Sequence, residues 1–223
     1  MDSGPGPGLT RLLAFGGVLA PLVFPGAIIV TAAGRPEYHH ATQAISELGE
    51  VGARNAALMN YGGFLLYGLL IVGLAIGLHQ GIRRGSGDWL GPLLFLMYGV
   101  AYMGVAFAPC NAGCTGTPQA TSEQVHFLLS RVIILTAVAT PLVLFPRLAK
   151  DPAWASLSPL VVVLPTIAYL LFLLPVPGLT SGWQQRLFVG CTLGWILALA
   201  IRLVRVTGKG RSVSRGLLDN HLD

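Results

Sequence analysis

The chain has 223 residues, 53% of them hydrophobic and only 10% charged, with a formal net charge of +5. A soluble domain carries about 25% charged residues, so this composition excludes an ordinary water-soluble fold. The basic excess is spread over short connections and a tail rather than gathered into a compact basic domain, which excludes nucleic acid as a partner.

A helix needs roughly 20 mostly apolar residues to cover the hydrocarbon core of a bilayer. Six stretches meet that length: Leu12–Ala33, Ala56–His79, Trp89–Ala108, Val125–Pro146, Ser156–Leu174 and Arg186–Val204. The expected fold is therefore all-α. It is a single membrane domain over 1–223, a bundle of six transmembrane helices, with a basic cytoplasmic tail over 205–223. Arg11 and the small residues Thr31, Ala32 and Ala33 give the first span the ends of a secretory signal. Its apolar run exceeds the ~7–15 residues of a signal core, so the first helix is expected to be retained. Pro21, Pro25, Pro141 and Pro165 fall inside spans, where kinks are expected and neighbours must satisfy the freed carbonyls. Gly73 with Gly77, and Gly190 with Gly194, have the spacing that lets membrane helices approach closely. Trp89, Trp154 and Trp183 flank spans and read as interfacial belts. No internal repeat is evident, which weighs against an inverted-repeat transporter.

Basic residues set the expected orientation. With the N-terminus cytoplasmic, the inner side carries Arg11, Arg83, Arg84, Arg147, Lys150, Arg202, Arg205, Lys209, Arg211 and Arg215. The outer side carries Arg35, Arg54 and Arg186. That bias follows the positive-inside rule, and both termini are expected in the cytoplasm of a multi-pass protein of the bacterial plasma membrane. The tail serves as a topology anchor, with contact to anionic headgroups as the alternative.

The longer outer connections are where chemistry is expected. Glu37-Tyr38-His39-His40-Ala41-Thr42-Gln43-Ala44-Ile45-Ser46-Glu47-Leu48-Gly49-Glu50 concentrates three carboxylates, two imidazoles and a serine. Ile45 and Leu48, three apart, suit a short helix lying on the membrane. The loop is either solvated or part of a ligand or catalytic site. Cys110 and Cys114 lie in the next outer connection, with Gly113 to turn the chain. They read as a disulfide in an oxidising compartment, or as half of a metal site lacking a second Cys/His pair at ligand spacing. Cys191 reads as packing.

Thr121 and Gln124 have capping-box spacing, so the fourth helix is expected to start there. Glu123, His126 and Ser130 then share one helical face. Glu-x-x-His spacing occurs in bundle metal sites, but such a site needs ligands from other helices too. Arg131, inside the span, is costly there unless paired, so Glu47, Glu50, Glu123 or an anionic headgroup is its expected partner. Asn55, Asn60 and Tyr61 open the second helix, Tyr98 and Tyr102 are four apart on the third, and Gln184, Gln185 and Arg186 begin the sixth. These read first as interhelical hydrogen bonds. No phosphate-binding Gly-Lys-Ser/Thr loop, Gly-x-Ser-x-Gly elbow or His-Glu-x-x-His motif is present.

Several of these pieces together resemble a known family. Ile45-Ser46-Glu47-Leu48-Gly49, Asn55, Met59-Asn60-Tyr61-Gly62-Gly63-Phe64 and Leu69-Leu70 resemble the bacterial membrane family called domain of unknown function 998. Pro109-Cys110-Asn111-Ala112-Gly113-Cys114 followed by His126 fits the same pattern. The resemblance covers about Leu12 to Val204, and the family commonly has Asp where this chain has Asn111. It implies a six-helix bundle and no particular activity. A fainter likeness is to the eukaryotic Frag1, DRAM and Sfk1 membrane proteins, linked to lipid and glycolipid-anchor handling.

The sequence thus predicts an outer-leaflet polar pocket that binds a lipid headgroup or another amphiphile, with membrane lipids as partners. Its ligand-binding residues are Arg131, His126, Asn60, Ser46 and Glu47. Arg131 supplies the phosphate or carboxylate contact. The alternative is a membrane-embedded hydrolase or transferase, with His126, Glu123, Ser46 and Glu47 as catalytic candidates. Candidate ligands for a bound zinc would then be His126 and Glu123 with either His39 or His40. A second alternative is an accessory subunit of a membrane complex.

Overall fold

A computed structural model of the chain describes residues 7–82, 89–114, 120–174 and 177–219, with side chains between 8 and 208. Arg83, Arg84 and the side chains of Lys209, Arg211 and Arg215, half of the basic set assigned to the inner face, lie outside the described residues. So does the stretch 115–119 of the second long connection.

Among the described residues every regular element is helical. Helix α1 spans Pro7–Ala33, α2 Leu58–Gly81, α3 Leu90–Phe107, α4 Thr121–Lys150, α5 Ser158–Leu173 and α6 Ser181–Asp219. Continuous apolar sequence favours helices in lipid because each helix satisfies its own backbone groups. Several helices run past the apolar spans, since the hydrogen-bond ladder continues after hydropathy falls. Helix α4 shows this best, with four polar residues before Val125 and Arg147 to Lys150 after Pro146.

All six are long and apolar enough to cross a membrane. Their outward faces carry Leu12, Leu22, Ile29, Leu128, Leu135 and Val163, each at least half exposed. Exposed apolar faces of that kind have no place in water and are what a lipid-facing surface requires. The chain is an integral, multi-pass membrane protein.

The helices form a closed ring in chain order, each packed on the next, with α6 returning to α1. An aromatic cluster fills the centre. Phe24 stacks on Tyr67 at 4.7 Å, Tyr102 meets Tyr67 edge-on at 4.7 Å, and Phe95 lies 5.4 Å from Trp195. The Tyr67 and Tyr98 hydroxyls share a hydrogen bond of 3.0 Å, so the tyrosines are core. Such ring pairs contribute about 0.5–1.5 kcal/mol each beyond burial.

Close helix approach occurs at a pair the sequence did not single out. A Cβ on Gly68 of α2 would fall 2.6 Å from the Gly99 carbonyl of α3, and one on Gly99 would fall 2.9 Å from the Gly68 carbonyl. Gly73 and Gly194 make only ordinary contacts, and Gly190 faces open space. Gly77 is tighter, 3.1 Å from a Leu203 methyl. Trp154 also departs from expectation: it is fully buried, whereas Trp89 and Trp183 are exposed as an interfacial belt requires. Pro21, Pro25, Pro141 and Pro165 do lie inside helices. Before Pro141, Thr136 and Thr140 donate to carbonyls four residues back.

One end of the ring is closed by the first connection, residues 34–57. Its short 3-10 helix, Ile45–Gly49, turns Ile45 and Leu48 into the protein, where both are buried. Helix α2 begins beside it as a π-helix over Leu58–Leu65, entered through Asn55 in the left-handed region (φ 61°). The Leu66 N–H reaches the Tyr61 carbonyl five residues back. Wide turns of this kind occur mostly as single insertions near functional sites.

Candidate functional site

Hydrogen bonds brace the first connection internally and fasten it to the second connection and to α6. Arg35 Nη2 bonds Glu50 Oε1 at 2.6 Å, a pair with side chains only 12% and 6% exposed. Arg35 Nη1 also donates to the Glu47 carbonyl at 2.6 Å. Burial opposes the Arg35 charge, but the Glu50 bond and charge, then those of Glu37, more than offset it and raise its pKa. Glu50 Oε2 accepts from the Gly113 N–H at 2.6 Å, and the Val51 N–H donates to the Cys110 carbonyl at 2.9 Å. On the α6 side, Arg186 donates to the Gln43 carbonyl at 2.9 Å and to the Tyr38 hydroxyl. Burial raises the Tyr38 pKa, with Arg186 pulling against it. Finally, the Ile45 N–H donates to Gln185 Oε1 at 2.7 Å.

Beneath this cap lies a cavity of about 90 Å³. Its wall is largely apolar, including Phe24, Phe64, Val105, Ile133 and Phe188. Its polar groups are Ser46, Tyr102, His126, Ser130 and Gln185, and no lysine, arginine, aspartate or glutamate lines it among the described residues. All six helices and the cap contribute. A drug-sized ligand needs at least ~300 Å³, so this space suits the end of a molecule, not a whole lipid.

His126 is the most constrained of these polar groups. It is 3% exposed, and Nδ1 lies 2.8 Å from the Ala108 carbonyl. A carbonyl only accepts, so the hydrogen sits on Nδ1, and Nε2 of the neutral ring keeps its lone pair. Ser130, one turn further along α4, lines the same cavity, as their spacing predicted.

The other expected site residues divide sharply. Ser46 does reach the cavity. Glu47 does not line it: its carboxylate accepts from the Ala44 N–H at 2.7 Å and the Gln43 amide at 2.6 Å, serving the turn itself. Asn60 is buried but spends its amide on the Gly49 carbonyl at 3.0 Å, holding cap to helix. Glu123 is buried against the second connection, where Asn111 Nδ2 donates to it at 3.1 Å. Helix α4 starts at Thr121 as expected, but Ala120 occupies the cap position and makes no side-chain bond. Thr121 therefore sits one residue too late to form a capping box.

Arg131 is placed elsewhere. It is exposed on the outward face of α4 and does not line the cavity. Ser130 takes the inward direction, and the next residue, 100° around the helix, is carried outside. Among the described residues no hydrogen bond or ion pair joins Arg131 to Glu47, Glu50 or Glu123. His39 and His40 are likewise exposed and join no metal-capable cluster among the described residues. His40 packs edge-on against Tyr38 at 5.2 Å; residual burial, then the Arg186 charge, lower its pKa.

Cys110 and Cys114 are paired as a disulfide, with Cα atoms 5.2 Å apart. The turn between them uses Gly113 at φ 79° and Cys114 at φ 47°. Cys110 is fully buried and Cys114 half-buried. Cys191 is half-buried and separate from them.

Sequence reasoning missed Arg35, Glu50 and Arg186 as a fastening system. The only signal was their charge in an otherwise apolar chain. No curated protein and no solved structure matches this chain. A family model described as "Protein of unknown function (DUF998)" matches residues 18–202, from within the first helix almost to the end of the sixth span. The chain belongs to that family.

Proposed function

We propose that the protein binds a membrane amphiphile by its polar end, in the cavity beneath the cap, in the outer leaflet of a bacterial plasma membrane. The observation that carries this reading is the lining: an apolar wall with five uncharged hydrogen-bonding side chains converging on about 90 Å³. The size admits a small polar end while the remaining chain stays among lipids. The absence of a lining cation among the described residues selects the chemistry. A phosphate or carboxylate would be buried without a counter-charge, at a cost of several kcal/mol. A hydroxyl or carbonyl end finds donors in Ser46, Ser130 and Tyr102, and acceptors in the same hydroxyls and His126 Nε2. The ligand class is therefore narrowed from headgroups in general to uncharged polar ends. The outer-leaflet assignment rests on the ten-to-three distribution of basic residues in the sequence.

Native mass spectrometry of gently extracted protein tests this. The wild type is expected to retain an amphiphile that Ser130→Phe, which fills the cavity from a half-buried position, expels. Arg131→Ala is expected to retain it, because Arg131 faces outward. Retention by folded, monodisperse Ser130→Phe, or a wild type that carries nothing, overturns the reading.

A further inference from the structure

We propose that Cys110, Cys114 and His126 form a redox-gated site for one thiophilic cation of the zinc(II) class. The inference goes beyond the amphiphile reading and stands independently of it.

One ligand atom from each of the three residues falls within a set no more than 4.8 Å across. Donors on a tetrahedral zinc stand roughly 3.5–3.8 Å apart, given Zn–S of ~2.3 Å and Zn–N of ~2.0 Å. On reduction the two sulfurs must part from a bond of ~2.05 Å to that separation, while the sulfur–imidazole distances close by up to about an ångström. The spacing in sequence hid this arrangement. Cys110 and Cys114 come from the second long connection and His126 from the second turn of α4, twelve residues beyond Cys114. The tight turn at Gly113 and Cys114 brings the second sulfur back, and the Ala108 carbonyl holds the imidazole.

The surroundings match what metal sites need outside the first ring of ligands. A ligating histidine almost always donates its other N–H to a carbonyl or carboxylate, which fixes the tautomer and raises basicity. With Nε2 as the ligand, the bond from Nδ1 to the Ala108 carbonyl does this for His126. Two thiolates and an imidazole form a soft donor set that selects zinc or copper(I) over magnesium or calcium. Three protein ligands leave a tetrahedral cation one open position, and His126 also lines the cavity.

The disulfide and the cation exclude each other, because thiolates are the ligands. Reduction by an external dithiol takes two electrons and two protons to this pair. The Cys110–Cys114 bond breaks, two thiols form, and the dithiol leaves as its own disulfide. Zinc then displaces the two thiol protons to solvent. Both sulfurs and His126 donate lone pairs to it. In the reverse step an external disulfide takes two electrons from the thiolates and two protons from solvent and leaves as its dithiol, the Cys110–Cys114 bond re-forms, and the cation is ejected.

The test uses full-length protein in detergent, reduced without oxygen by a water-soluble phosphine, which becomes a phosphine oxide and does not compete for metal as a thiol would. Zinc chloride is titrated against a chromophoric chelator, with metal analysis on the same sample. Reduced wild type is expected to bind about one zinc per chain, and the disulfide form none. Cys114→Ser and His126→Ala, each reduced, are expected to lose affinity by at least about tenfold. Cobalt(II) separates coordination from folding. Reduced wild type should show a sulfur-to-cobalt charge-transfer band, and His126→Ala should change the ligand-field bands or lose them. Equal binding by oxidised and reduced protein overturns the proposal. So does reduced His126→Ala with wild-type affinity and spectrum, which would mean the two cysteines chelate alone.

Discussion

Arg35 and Glu50 show how differently two ion pairs of one loop are weighted. Both Glu37 and Glu50 bond Arg35, at 3.0 and 2.6 Å. Glu37 is two-thirds exposed and Glu50 nearly buried, so water replaces the first partner and cannot reach the second. Glu50 also receives the Gly113 N–H, so its loss strands a cation and a backbone donor together. Removing one partner of a buried pair costs about 3–5 kcal/mol, whereas exposed pairs contribute little. Glu50→Ala is expected to lower the melting temperature of the detergent-solubilised protein markedly and to loosen the connection bearing the disulfide. Glu37→Ala is expected to leave it unchanged. Equal effects would mean that the cap is not held by this pair. Residue-scale roles were the least legible part of the sequence. Ser46, His126 and Ser130, singled out by type and spacing, line the cavity. Glu47 and Asn60 looked equally chemical, but their polar atoms are consumed by the turns that shape the cap. Which backbone group a side chain will serve depends on a turn that no pattern of residue types encodes.

At the scale of elements, six helices were legible because lipid imposes length and apolarity directly on sequence. Their facing was not. Gly73-x-x-x-Gly77 and Gly190-x-x-x-Gly194 had the spacing of a close crossing, but spacing on one helix says nothing about its neighbour. The crossing of α2 on α3 needs one glycine from each, Gly68 and Gly99, which are not a motif on either strand of sequence. The cost of filling that contact can be ordered in advance. A methyl on Gly68 would meet a backbone carbonyl at 2.6 Å, which cannot rotate away, so the helices must part. Overpacking of this kind costs about 1–3 kcal/mol. Gly190 sits in a helix with nothing within 4 Å, so alanine there removes only backbone freedom and is neutral or stabilising by about 0.5–1 kcal/mol. Chemical or thermal unfolding of Gly68→Ala and Gly190→Ala should therefore move in opposite directions. A harmless Gly68→Ala would contradict the α2–α3 packing and, with it, the position of Tyr67, Tyr98 and Tyr102 in the core.

For the molecule as a whole, the two ends of the ring differ in kind. One is closed by the fastened cap with its disulfide; Arg11, Arg202 and Arg205 gather around a cavity at the other. Six crossings would return the end of α6 to the side on which α1 starts, so a single labelled position would orient the bundle. Positive-inside bias leads us to expect the arginine end in the cytoplasm. The cap would then face the oxidising side, where a disulfide persists. These two expectations come from unrelated physics, charge distribution and redox chemistry, and they agree. Arg54 is exposed in the cap connection and makes a suitable reporter. Arg54→Cys is expected to react with a membrane-impermeant maleimide in intact cells, while a fluorescent protein fused after Asp223 folds and emits inside. Labelling of Arg54→Cys only after lysis would invert the topology and place Cys110 and Cys114 in a reducing compartment. The pair would then rest as thiols beside His126, the state that takes up a cation, and the amphiphile cavity would open toward the inner leaflet. Orientation thus decides which redox form of the site the cell maintains, and the two compartments predict opposite answers when the cysteines are trapped by alkylation before extraction.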